Sequence, residues 1–165
     1  MKSIHHAQPS LYGKSIVLLT GSLRVWAVVA SLAPLAFALD GQVRIHDPST
    51  IVRCDGRFYT YGTGGTTLVS DDGWTWRRGV TPSRRGMAPD IIQLGDRYYQ
   101  YISSNPGGQP HSQIFMISSK SLNPESPDYE WEDGGIVNST DGVEFCNGID
   151  PGLFLDPTDG KLWMT

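Results

Sequence analysis

The chain has 165 residues, 39% hydrophobic and 18% charged, with a formal net charge of −4. That length suits one ordinary domain, and the balance is that of a folded rather than a disordered chain. The 19 Gly and 11 Pro cut it into short runs carrying 5 Trp, 7 Tyr and 5 Phe, which favours an all-β protein, and no amphipathic helix pattern follows residue 40.

Residues 1–38 stand apart. They hold Lys2, Lys14 and Arg24 and no acid, and the apolar run VWAVVASLAPLAFA (25–38) ends in Ala36-Phe37-Ala38. A basic start, an apolar run and an A-x-A ending predict a cleaved secretory signal. The competing reading, a membrane anchor, needs about 20 apolar residues. The expected organisation is therefore a signal peptide, 1–38, and a secreted or periplasmic part, 39–165, not held at a membrane after cleavage. That part carries 10 Lys and Arg against 17 Asp and Glu, a net of −7, which disfavours nucleic acid and anionic membranes as partners. A neutral or weakly charged ligand fits better. Cys54 and Cys146 make neither a disulfide framework nor a zinc site.

From residue 44 a pattern repeats. The segments DPSTIVRCDGRFYTYGTGG from Asp47, PDIIQLGDRYYQYISSNPGG from Pro89 and DPGLFLDPTDGKLWMT from Asp150 share an order. Each has an opening Asp, an apolar run, a turn, a basic residue and alternating aromatics. The turns Asp55-Gly56, Gly95-Asp96 and Asp159-Gly160 predict hairpins. Two further strands fit after each of the first two hairpins, at 66–72 and 74–79 and at 112–120 and 129–137. The Pro-rich segment 121–128 absorbs the extra length of the second repeat. The opening aspartates Asp47, Asp90 and Asp150 are 43 and 60 residues apart, the period of propeller blades. If each repeat opens with the innermost strand of its blade, the three aspartates converge on one channel mouth. Converging carboxylates push their pKa values apart, as acid–base chemistry requires. The plainer alternative is that each Asp caps a turn. The third repeat reaches only its second strand, so about two and a half blades are expected, the N-terminal part of a longer propeller. Asn138-Ser139-Thr140 is a glycosylation sequon.

Five segments, HDPST (46–50), DGRFYTYGTG (55–64), APDIIQLGDRYYQYIS (88–103), SPDYEWEDGGIV (126–137) and NGIDPGLFLDPTDGKLW (147–163), make the chain resemble glycoside hydrolase family 43, most of all its endo-α-1,5-L-arabinanases. The resemblance implies a five-bladed propeller that hydrolyses α-1,5-L-arabinosidic bonds of arabinan, or a related arabinose-containing polysaccharide, with inversion. On the family's pattern Asp47 is the general base. Asp150 orients the general acid and tunes its pKa. The acid itself is a Glu of a fourth blade, so no residue here takes that role; Glu144 does not match its position. The resemblance puts Asn147, Gly148, Ile149 and Asp150 against sugar. It also lines the cleft with a loop glycine, for which Gly108 is the match and Gly107 stands one step away, though both glycines also fit a plain turn. Asp47 and Asp90 are further substrate-binding candidates. His46 has three readings: orienting Asp47, touching substrate, or serving structure alone.

Two departures stand out: Met87 where the family usually has Trp, which exchanges an aromatic platform for a flexible side chain of similar volume, and Gly148 where it has Ala. No cofactor is expected from these residues. Family members often hold an axial metal ion, but through a histidine of a later blade, so no ligand is assigned. Two other functions compete: a carbohydrate-binding propeller without catalysis, and another family 43 arabinofuranosidase or xylosidase. A fragment lacking its acid is expected to be inactive.

Overall fold

Residues 38–105, 111–143 and 147–165 are described by a computed structural model. Among them the chain is all β, its one helical turn being the 3-10 turn Thr63–Gly65. The first sheet is an antiparallel meander of β2 (Val52–Cys54), β3 (Arg57–Gly62), β4 (Thr66–Ser70) and β5 (Thr75–Arg78), with the short β1 (Asp40–Gly41) added parallel to β5. The second runs β6 (Met87–Leu94), β7 (Arg97–Ser104), β8 (Gln113–Ser119) and β9 (Glu132–Ser139), again antiparallel throughout. The third is the hairpin of β10 (Leu153–Leu155) and β11 (Leu162–Met164). The two full repeats thus each supply four consecutive antiparallel strands. The expected leader lies outside the described residues, except for Ala38.

Local chemistry explains the turns. Asp55 and Gly56 both take positive φ, 48° and 78°, and close a two-residue connection in which Cys54 pairs with Arg57. Such a turn matches the twist of the strands and needs residues that tolerate that region. Between β4 and β5, Asp72 accepts the backbone N–H groups of Trp74 and Thr75 at 2.7 Å each and the Ser70 hydroxyl at 2.9 Å. These donors, Thr75 first, hold its carboxyl well below the usual carboxylate range. The hairpin expected at Asp159-Gly160 forms with a longer connection: Leu155 pairs with Leu162, and the chain winds around Asp156, whose carboxylate accepts the Thr158 N–H and hydroxyl at 2.8 and 2.6 Å. One expectation shifts: the fourth strand of the second sheet begins at Glu132 rather than at Tyr129. The turns Tyr129 N–H to Ser126 C=O and Glu130 N–H to Asp128 C=O delay it.

The core lies between the first two sheets. Cys54, Tyr59, Tyr61 and Val69 meet Ile91, Tyr98 and Leu122, with Val52 and Trp131 against them. Leu122 comes from the Pro-rich segment, so that loop is a packing element. Trp131 meets Tyr61 edge to face, with centroids 6.0 Å apart. The Tyr98 hydroxyl donates to the Arg53 carbonyl at 2.7 Å, and burial pushes its pKa up. Cys54 is buried, and its sulfur accepts the Leu122 N–H at 3.3 Å; Cys146 lies outside the described residues.

The arrangement of the first strands positions the site. β2 and β6 each form the edge of their own sheet. β6 packs against β2 and β3 and also against β10. The N-terminal ends of three strands, far apart in sequence, thereby come together.

Candidate active site

Before β2 and β10 and at the second residue of β6 stands a residue followed by proline: Asp47-Pro48, Asp150-Pro151 and Ala88-Pro89. All three leading residues take positive φ, 47° for Asp47, 38° for Ala88 and 60° for Asp150. Non-glycine residues adopt this region rarely, at a cost of order 1–3 kcal/mol, and such residues gather at functional sites. The shared turn corrects the alignment of the repeats. Ala88, not Asp90, is the counterpart of Asp47 and Asp150, and the true spacing is 41 and 62 residues. Asp90 stands where Ser49 and Gly152 stand in the other repeats. The β6–β7 register also shifts by one residue here, between Met87 and Asp90.

The three entrances line one cleft of about 380 Å³, formed by residues 47–50, 88–90 and 150–152. Asp47, Asp90 and Asp150 all face it. Asp47 is 42% exposed, and His46 Nδ1 lies 2.7 Å from its Oδ2. The same oxygen accepts the Thr63 hydroxyl at 2.8 Å. Thr63 Oγ1 in turn accepts the Ala88 N–H at 2.8 Å, and the Thr63 N–H donates to the His46 carbonyl at 2.9 Å. One hydroxyl therefore ties the Asp47 carboxylate to the entrance of the second sheet. The chain passes so close here that a Cβ on Gly62 would sit 2.6 Å from the His46 oxygen, which reserves that position for glycine. Among the described residues no protein donor reaches Asp47 Oδ1, which leaves it for solvent or substrate.

Asp150 is exposed, and its N–H donates to the buried Ser103 hydroxyl of β7 at 2.8 Å. Asn147 is exposed, while Gly148 and Ile149 are half-buried. The Ser112 hydroxyl, fully buried, grips Gly148 through its N–H at 2.8 Å and its carbonyl at 2.9 Å. Thr140 backs Ser112 in turn by accepting its N–H at 2.9 Å. An alanine at 148 would place its Cβ 3.1 Å from Thr140 Cγ2, a tight fit that the glycine avoids. Asp90 differs from the other two. It is 9% exposed, and both its oxygens accept backbone N–H groups, from Thr50 and from Leu153. Met87 is half-buried at the start of β6. Gly107, Gly108 and Glu144 lie outside the described residues.

Thr63, Ser103 and Ser112 are the residues that sequence reasoning passed over. Thr63 lies inside the DGRFYTYGTG segment, but nothing in that segment says which carboxylate its hydroxyl meets. Replacing Thr63 with Val, equal in shape but without the hydroxyl, is expected to orphan the Ala88 N–H. A loss of about 1–3 kcal/mol of stability should follow in thermal or denaturant unfolding, and unchanged unfolding would refute this role.

A profile of glycosyl hydrolases family 43 matches residues 59–165. The chain belongs to glycosyl hydrolase family 43. This family 43 chain is 37% identical over 142 residues to the extracellular exo-α-(1→5)-L-arabinofuranosidase ArbA of Cellvibrio japonicus, covering 75% of the chain and 40% of that protein. It is 32% identical over 147 residues to the probable arabinan endo-1,5-α-L-arabinosidase A of Aspergillus flavus, covering 77% and 44%. The crystal structure of Cellvibrio cellulosa α-L-arabinanase complexed with arabinohexaose aligns with a TM-score of 0.65 and 33% identity, over 75% of the chain and 44% of that structure. The family 43 chain thus spans less than half the length of each relative. Among its described residues no three His, Cys, Asp or Glu side chains gather as a metal cage.

Proposed function

We propose that the intact protein hydrolyses α-1,5-L-arabinosidic bonds of arabinan with inversion, and that the described sheets are blades of a five-bladed β-propeller. The observation that carries this reading is one cleft of a family 43 chain holding two exposed carboxylates, Asp47 and Asp150, on matching strained turns. The related arabinohexaose complex supports the substrate class.

In this reading Asp47 is the general base. His46 and Thr63 hold its Oδ2, and Oδ1 takes a proton from water as that water's oxygen bonds to the anomeric carbon. The bond from that carbon to the glycosidic oxygen breaks on the opposite face, and a second carboxyl group protonates the leaving oxygen. Inverting enzymes hold acid and base about 6.5–9.5 Å apart to admit the water. The acid is assigned to a residue outside those that line the cleft here. Asp150 acts on that acid, orienting it and raising its pKa by its charge, and Asn147, Gly148 and Ile149 present one wall to sugar. Gly108 and His46 remain proposed sugar neighbours. The leader 1–38 and a relative named extracellular support export.

The test is incubation of the intact protein with linear arabinan, followed by NMR of the newly released anomeric proton. The expected early product is the β-anomer; an early α-anomer would refute inversion, and no reducing sugar would refute the reading. The chain lengths of the first products separate internal from terminal cleavage.

A further inference from the structure

The Asp90 carboxylate is spent on the backbone. Its Oδ1 accepts the Thr50 N–H at 2.9 Å and its Oδ2 accepts the Leu153 N–H at 2.8 Å. Thr50 lies three residues beyond Asp47, and Leu153 lies three residues beyond Asp150. A single side chain of the second repeat therefore grips equivalent amides of the first and third. These are the amides just past the two turns that carry the exposed carboxylates.

We infer that Asp90 is a positioning residue that sets the separation of Asp47 and Asp150 by clamping the strands behind them, rather than a ligand of the sugar. The inference rests on the catalytic reading of that pair. Three observations support it. Asp90 is 9% exposed although it borders the cleft. The other repeats carry Ser49 and Gly152 at its position, so one carboxylate serves all three entrances. β6, which bears it, is the strand that packs against both β2 and β10. A carboxylate with two charge-assisted hydrogen bonds is a stiff strut, and an inverting site depends on the spacing that such a strut fixes. Misplacement of reacting groups by about 1 Å costs on the order of 100-fold in rate.

The experiment compares Asp90→Asn with the parent in the intact protein. Asparagine is nearly the same size, but its NH₂ faces a backbone N–H and breaks one arm of the clamp. Amide hydrogen exchange at Thr50 and Leu153 reads the clamp itself, independently of activity. Faster exchange at one or both amides is expected, with kcat on arabino-oligosaccharides lowered about 100-fold. KM should stay within about threefold, and both limbs of the pH profile should remain in place. Unchanged exchange overturns the clamp. A raised KM with kcat kept would make Asp90 a sugar ligand, and loss of one pH limb would make it a reacting acid or base; either overturns the inference. So does unaltered kcat in a folded variant whose amides have been freed. Asp90→Glu keeps the charge one methylene further out and takes the same readouts if the Asn variant does not fold. A parent protein inactive on these sugars defeats the catalytic reading, while the exchange result still decides the clamp.

Discussion

Asp47→Asn in the intact protein is expected to lower kcat on linear arabinan by about 10³-fold while leaving KM within a few-fold. The amide is nearly isosteric, so the turn at φ 47° and the contact with Thr63 survive in outline. It carries no basic lone pair, however, and water loses its proton acceptor. General base catalysis contributes about 10²–10⁴-fold, and the upper part of that range suits a carboxylate whose other oxygen is already held in place. As the proposed base Asp47 would act on water rather than on the sugar, so ground-state binding should be spared and the loss should fall on kcat. Initial rates of reducing-sugar release across a concentration series separate the two constants. Retention of more than about a tenth of the parent kcat would remove Asp47 from the role of base.

Asp150→Asn is expected to cost about 10²-fold in kcat/KM on arabinan and to move the basic limb of its pH profile to lower pH. The sign follows from the charge. A carboxylate beside the acid disfavours ionisation of that acid and so raises its pKa. Removing the negative charge lets the acid ionise earlier, and its protonated fraction is lost at a lower pH. The acidic limb, which reports the base, should move less. Substrates with a good leaving group need less protonation, so an aryl arabinofuranoside should suffer less than arabinan. A basic limb that stays in place, with arabinan and the aryl substrate losing equally, would assign Asp150 to binding alone. The backbone N–H of Asp150 and its Ser103 partner are untouched by the change, so the fold should survive it.

Much of the architecture was legible in the sequence because it is written in local chemistry. Asp55-Gly56 forces its hairpin, the runs of alternating aromatics become β3 and β7, and the strands 66–70 and 75–78 fall inside the expected segments. The convergence of the opening residues followed from the repeat alone. What the sequence obscured depends on tertiary structure. Asp90 resembled the other two aspartates because each stands near the head of a strand, and only the positive-φ turn that Ala88 shares with Asp47 and Asp150 shows that it stands two residues further along. The hydroxyls of Thr63, Ser103 and Ser112 resemble any other Ser or Thr of a strand. Their partners lie 16 to 47 residues away in sequence, and no local signal encodes such a distance. The hairpin expected at Asp159-Gly160 forms, but over a longer connection that Asp156 organises with its own side chain.

The turn at Ala88 has a bearing on how such a site arises. Its φ of 38° matches those of Asp47 and Asp150, yet its side chain is a methyl group with no chemistry to perform. The contorted conformation therefore belongs to the repeating backbone and does not depend on an acidic side chain. Each repeat brings the same turn to one cleft, and the residue on it is a carboxylate in two repeats and a methyl group in the third. Such a scaffold can exchange or relocate its reagents without rebuilding its frame.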